Sequence, residues 1–480
     1  MKNITRRSFL KHTALTATAL GLSVRSWSQV AGANSDVRLA VIGFYGRGQD
    51  HIKGFNGTKG VRITAFCDVD KNVLDKEVAK SKAKGEEVEG YTDVRKLLES
   101  KNFDAVSIAT PNHWHALGAI WAIQAGKDVY VEKPVSHNVW EGRKIVEAAR
   151  AHKKIVQTGT QSRSSAGIRD AVAWINEGHI GKIVIARGLC YKPRNSIGKV
   201  EGEQPIPAGI DYDLWSGPAA KLPLMRKKLH YDWHWVWNTG CGDLGNQGIH
   251  QMDIARWFLG VNELSPRVLS VGGRLGYVDD GETANTQMIY HDYARAPLIF
   301  EVRGLPAKTG EKKMDSYKGA GVGVIIECEN GYVVVPDYHK ATVFDKEGQQ
   351  IKQFTGGEDH YANFIKAVHS RKTSDLNADI LEGHLSSGLC HTGNISYRLG
   401  AQKSPDEIRE AIQGDKGASE TFGRMAEHLA ANGVDITKDK VTLGVPLKMD
   451  PKTEKFVGNA HANTMLTREY RAPFIVPEKV

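Results

Sequence analysis

The sequence predicts an α/β fold: an N-terminal doubly wound parallel sheet, then an α+β domain built on a large, mostly antiparallel open sheet. Three observations predict it. Strands and helices alternate from Val37 to about residue 160, the pattern that lays strands side by side in parallel. A glycine-rich turn, "GFYGRG" (Gly43 to Gly48), joins the first strand to the first helix. Beyond residue 160 the strands lengthen and lose their intervening helices, as antiparallel pairing allows.

"VRLAVIGF" opens as a short apolar strand, with a helix expected over 49–56. "VRITAFCDVD" is the second strand and ends in acids. "FDAVSIATP" and "KDVYVEKP" are later strands, each stopped by a proline that cannot donate to a ladder. Helices are expected over 94–100, 115–125 and 140–152, and a further strand over 153–161. The second half reads as strands in "GKIVIARGLCYKP", "PRVLSVGGRL", "ANTQMIYHDY", "APLIFEVRG", "GVIIECENGYVVVP" and "YHKATVFDKEG", with helices over 166–177, 248–259 and 359–370. Between them, residues 194–228 form a Pro/Gly-rich excursion, and loops of that length are functional or disordered. Helices over 406–413 and 419–432 precede a proline-containing end. The 480 residues suffice for two well-buried domains. The expected division is a leader (1–33), a dinucleotide-binding domain (34–158), a substrate and assembly domain (159–400), and a helical extension with a tail (401–480).

Charged residues make up 25% and apolar ones 41%, ordinary for a globular chain. The net charge of +9 is concentrated at one end: residues 1–33 hold five basic residues and no acid. The remainder is too weakly basic for a nucleic-acid partner. "TRRSFLK" (Thr5 to Lys11), a weakly apolar run and "AGA" (Ala31 to Ala33) describe an export signal of twin-arginine form, hence a periplasmic or exported protein. The apolar run is too short for a lasting membrane span. Five scattered cysteines without a C-x-x-C pair suggest neither a disulfide scaffold nor a zinc site.

The turn carries the first chemistry. Gly43 permits the tight bend, Gly48 lets the helix pack closely on the sheet, and Asp68 follows twenty residues later. An acid there would meet the ribose hydroxyls of a dinucleotide. Tyr45 stands where the fingerprint has its middle glycine, so Gly46 and Arg47 are the expected approach to the pyrophosphate. Asp68 favours NAD by repelling a ribose phosphate, while Lys71 nearby leaves NADP open.

With "ATPNHWHA" (Ala109 to Ala116), "VEKPVSHN" (Val131 to Asn138) and "NQGIHQMD" (Asn246 to Asp253), the chain resembles the Gfo/Idh/MocA oxidoreductases over about residues 36–400. The resemblance implies NAD(P)-dependent chemistry on a sugar, glycoside or cyclitol, and an open sheet whose outer face pairs subunits into a homo-oligomer. It implies that Thr110, Pro111, Asn112, His115 and Glu132 border the cofactor and that Lys133 sits beside the nicotinamide and moves a proton. The family's D-x-x-x-H-x-x-D helix is matched by His250 and Asp253, with Asn246 in place of the first Asp. An amide can hydrogen-bond a sugar but cannot carry a proton, so acid–base work falls on Lys133 and His250, with Asn246 beside them as a substrate contact.

A lysine desolvated beside a cationic ring loses basicity into a working range. Asp253 would orient His250 or cap a neighbouring donor. His250, Asp253 and the nearby histidines form no dense ligand set, so no metal is expected. Trp233, Trp235 and Trp237, at a period of two, read as one strand face; Trp235, Trp237 and Arg163 are expected to contact substrate. Two enzymatic outcomes share these parts: net transfer of a hydride from a secondary alcohol, or transient ring oxidation followed by elimination of an aglycone.

Overall fold

"VRLAVI" is apolar on both faces, which suits the middle of a parallel sheet. Val37–Ile42 accordingly forms β1 at the centre of the first sheet. The computed structural model describes residues 36–439 and 441–480; the twin-arginine leader lies outside the described residues. The first domain continues through α1 (Gly48–Gly57), β2 (Val61–Cys67), α2 (Lys71–Ala83), β3 (Glu89–Tyr91), α3 (Val94–Glu99), β4 (Ala105–Ile108), α4 (Asn112–Gln124), β5 (Asp128–Val131), α5 (Val139–Ala151) and β6 (Val156–Thr158). The strands are all parallel, in the order β3-β2-β1-β4-β5-β6. The order switches between β1 and β4, and the crevice beyond their carboxyl ends is where such sheets bind ligands.

After α6 (Ala166–Asn176) the second sheet is laid down by β7 (Ile183–Tyr191) and, following α7 (Ile249–Leu259), by β8 (Arg267–Gly273), β9 (Thr286–His291), β10 (Leu298–Arg303), β11 (Val322–Cys328), β12 (Gly331–Val335), β13 (Lys340–Asp345) and β14 (Gln350–Thr355). Its pairings are antiparallel except between β7 and β10. Its inner face packs on α6, α7 and α9 (Ile380–Arg398), while α8 (His360–Ser370) returns to the first domain, burying Phe364, Ile365 and Val368 against Leu39 and Tyr130. The first core thus also recruits chain from beyond residue 158.

Residues 401–480, expected as a helical extension and tail, add both helices and strands. β15 (Ala401–Lys403), β16 (Val441–Leu443) and β17 (Leu447–Asp450) join the large sheet, and β17 pairs with β18 (Lys455–Phe456). α10 (Pro405–Ile412) and α11 (Lys416–Ala431) lay Ile408, Phe422 and Met425 over the outer face of β8, β9 and β10. Beside them Arg187, Glu301 and Arg424 form a ladder of buried ion pairs. Much of the face that the resemblance assigns to subunit pairing is thus covered by the chain itself. Among the described residues no helix is long and apolar enough to cross a membrane, and no group of three or more metal-ligating side chains occurs.

Candidate active site

Where β1 and β4 part, a cavity of about 540 Å3 opens, lined from both domains, within the size range of cofactor and ligand sites. The glycine turn forms one wall. Gly43 takes φ +77°, and a Cβ there would stand 2.9 Å from Thr110 Cα. A Cβ on Gly48 would collide with the Gly43 carbonyl, so the turn and the start of α1 close up only with glycine at both places. Gly46 has open space on its side-chain face, with nothing within 4 Å. Tyr45 is 61% exposed yet borders the cavity, stacking on His230 at 3.9 Å with the rings 5° apart.

The fit to a dinucleotide is good. Asp68, at the tip of β2, accepts the backbone N–H of Phe44 and of Asp70, each at 3.0 Å. Burial raises its pKa despite those two donors. Thr110 Oγ1 and Asn112 Oδ1 are buried without a hydrogen-bond partner among the described residues, and both residues line the cavity. Such orphaned atoms are rare unless a ligand or water meets them. The N-terminus of α1 completes an anion-binding wall. His115 lies between the Thr110 and Pro134 carbonyls, at 2.7 and 2.6 Å, and ties the two signature segments together.

Arg47 is placed differently from expectation. Its guanidinium donates to Glu132 (3.0 Å) and Asp50 (3.0 Å) rather than standing free for a phosphate. Glu132 also meets His51 at 3.0 Å and Gln161 at 3.3 Å. Burial alone would raise its pKa, but Arg47 and His51 hold it well below the usual carboxylate range. This anchored, ionised carboxylate fixes the end of β5, from which Lys133 projects. His51 and Gln161 were not visible as site residues in the sequence, because neither belongs to a motif.

Lys133 Nζ donates to the backbone carbonyl of Asn246 at 2.6 Å. Asn246 lies in a wide π-helical turn over Leu244–Gly248, a distortion that recurs at functional sites. The contact therefore does not depend on whether residue 246 is Asn or Asp. Burial lowers the pKa of Lys133, reinforced by Arg47 and Lys192 and opposed by Glu132. One turn further on, His250 lines the same cavity with Nδ1 unpartnered among the described residues. Burial first, then Lys133, pushes its pKa down to about 3, so the ring is neutral at ordinary pH.

Three expected contacts are elsewhere. Arg163 is buried in a bidentate pair with Asp253 (2.8 Å to each oxygen) and also meets Glu382 at 3.0 Å. Asp253 is consumed by that pair and by Ser386, so it does not orient His250. The tryptophans do not share a strand face: Asp232–Trp235 is a short 3-10 turn, which breaks the period of two. Trp235 is buried under Arg194, and Trp237 lies against Arg398; neither lines the cavity. Trp233, His234 and Tyr231 line it instead. Tyr231 has φ +66°, a strained value for an aromatic residue that clusters at functional sites.

The long excursion after β7 is ordered and crosses the crevice as a strap. Gly209 and Ala208 carbonyls accept from Lys71 N (2.9 Å) and Asn72 Nδ2 (2.8 Å). Trp114 Nε1 donates to the Leu214 carbonyl at 3.0 Å, and His230 meets Asp70 at 3.2 Å. From the far end of the chain, Arg471 pairs with Asp213 at 2.7 Å, while Phe474 packs edge-on against Trp114. Leu214, Trp215 and His230 so become cavity walls.

Strand order and glycine turn define a dinucleotide-binding domain, with a buried lysine in its crevice. Residues 37–160 match a model described as an oxidoreductase family's NAD-binding Rossmann fold, and residues 182–428 match that family's C-terminal alpha/beta domain. The chain belongs to the Gfo/Idh/MocA oxidoreductase family, and its first domain binds NAD. It is 33% identical over 153 residues to an inositol 2-dehydrogenase/D-chiro-inositol 3-dehydrogenase of Shouchella clausii, covering 32% of this chain and 43% of the relative. It is 31% identical over 212 residues to an alpha-N-acetylgalactosaminidase of Tannerella forsythia, covering 39% and 44%. The chain thus spans less than half the length of these curated relatives. The fold is shared with the WlbA dehydrogenase of Bordetella pertussis, solved with NADH and UDP-GlcNAcA (TM-score 0.54, 19% identity, 74% of this chain and 94% of that one). It is shared too with myo-inositol 2-dehydrogenase of Lactobacillus plantarum (TM-score 0.52, 21% identity, 75% and 96%).

Proposed function

We propose that the protein oxidises, or reversibly oxidises, a secondary alcohol of a sugar, glycoside or cyclitol, with NAD held in the cleft through the cycle. One observation carries the reading: Lys133, of lowered basicity, and neutral His250, with an unpartnered nitrogen, line one cavity with the glycine turn. Bound there, the nicotinamide supplies the two-electron acceptor. Lys133 takes the proton of the reacting hydroxyl, and the Asn246 carbonyl fixes its ammonium. His250 accepts a hydrogen bond from a neighbouring hydroxyl and orients the ring. The preference for NAD over NADP is supported by Asp68 in the cavity wall and by Lys71, which is engaged with Asp75.

The base form of Lys133 must be present for oxidation. Because burial lowers its pKa, kcat/KM for oxidation rises with pH through a value below the ordinary lysine pKa of about 10.4. A pH–rate profile whose rising limb sat at the ordinary value would contradict the assignment.

The strap supports a held cofactor. Loss of the Tyr45–His230 stack, on the order of 0.5–1.5 kcal/mol, and of the hydrogen bond to Asp70, about 1 kcal/mol, makes His230→Ala release NADH roughly tenfold faster. Stopped-flow cofactor fluorescence reads this directly.

A second reading, oxidation followed by elimination of an aglycone, is favoured by the glycosidase names among the curated relatives. The deciding experiment gives NAD-loaded protein a panel of sugars and glycosides. A lasting rise of the near-ultraviolet band of reduced nicotinamide marks a dehydrogenase; aglycone release without it marks the cleaving enzyme. Silence in both overturns the proposal. Export rests on the Arg6–Arg7 leader. Assembly into a homo-oligomer rests on the far edge of the large sheet, away from α11, where Ile351 of β14 is exposed.

A further inference from the structure

We infer that the substrate is an acidic sugar, its anionic group received by Lys192. This rests on the oxidoreductase reading above. Lys192 follows β7 directly and lines the cavity with Lys133. The two ammonium groups are anchored on adjacent residues of one turn: Lys133 Nζ on the Asn246 carbonyl at 2.6 Å, and Lys192 Nζ on Gln247 Oε1 at 3.1 Å. Each uses one of its three N–H donors there.

No carboxylate pairs with either lysine among the described residues. Glu132 is committed to Arg47 and His51. Asp243, the second-domain acid whose charge reaches Lys133, gives both oxygens to Arg194 at 2.7 and 2.6 Å. Position 246, an acid in the family motif, is an amide here. With Lys133 in its base form the cationic nicotinamide ring, and after proton transfer the Lys133 ammonium, places one positive charge beside that of Lys192 in a partly desolvated cleft, where like charges repel. A neutral sugar would leave that charge uncompensated, whereas a carboxylate or phosphate on the sugar removes it. The dinucleotide's own phosphates would be held on the other domain, by the glycine turn and the N-terminus of α1. Lys192 instead stands with Gln247 and Tyr338, whose hydroxyl accepts from Gln247 Nε2 at 3.2 Å. His250, 5% exposed with Nδ1 unpartnered, is left for a substrate hydroxyl in the same wall.

The test is calorimetric titration of the NAD-loaded protein with D-glucuronate, D-galacturonate and D-glucose 6-phosphate, each against its neutral parent. The expected result is that the acids bind roughly tenfold or more tightly than the neutral sugars, as a charge-assisted contact gives. The carboxylate and phosphate arms then tell which anion the site takes. Lys192→Gln abolishes the preference and Lys192→Arg keeps most of it, with retained NAD showing that both variants fold. Equal binding of acid and neutral sugar, or a preference that survives Lys192→Gln, overturns the inference while leaving the oxidoreductase reading intact. If no sugar of either kind binds or reduces the cofactor, the functional reading itself falls, and this one with it.

Discussion

Lys133→Ala lowers turnover by about a thousandfold, within the 10²–10⁴ range that a positioned proton-transfer group contributes, and leaves the cofactor bound. The separation is expected because Lys133 carries no part of the fold. Its ammonium is held by one backbone carbonyl, while the end of β5 is fixed by Glu132 through Arg47, His51 and Gln161. Steady-state kinetics beside a count of NAD per chain checks both halves. A variant with full turnover would remove Lys133 from the chemistry, and a variant that lost NAD as well would make it a binding residue instead.

Arg163→Met costs about 3–5 kcal/mol of stability, the usual consequence of taking one partner from a buried ion pair. Asp253 is fully buried and would keep Ser386 and a more distant Arg256, at 3.6 Å, as its only neighbours of use. Denaturation midpoints show the loss, and KM for the sugar stays near its original value. The opposite pattern, a raised KM at unchanged stability, would restore Arg163 as a substrate contact.

That contrast locates what the sequence makes legible. Gly43, Asp68, Lys133 and His250 each lie in a short segment whose spacing already states its geometry, and all four line the cavity. Arg163 looked equally suited to a sugar, but its partners come from α7 and α9, 90 or more residues away. α9 itself carries no helical signature: "ILEGHLSSGLCHTGNISYR" is buried on nearly every side and rich in Gly and Ser, so no amphipathic stripe forms. α2, β3 and β14 also escape the pattern, β14 because it is an exposed edge without an apolar face. The tryptophans misled for a local reason, since a 3-10 turn rotates successive side chains where a strand would alternate them. Lys192 and Tyr338 sit in no motif and are brought to the site only by the second sheet.

The strap has a consequence for the order of assembly. Its ties run from Asn72 in the first domain to Asp213 and on to Arg471. The first core gains α8 only by Ser370, and the last tie awaits residue 471. At roughly 5–20 residues per second of synthesis, that leaves an interval of about 5–20 s. During it the crevice has its glycine wall but not its finished cover, so the nucleotide enters a nascent protein more easily than a mature one. Protein made where the nucleotide is scarce would then mature with an empty cleft, and later incubation would fill it slowly.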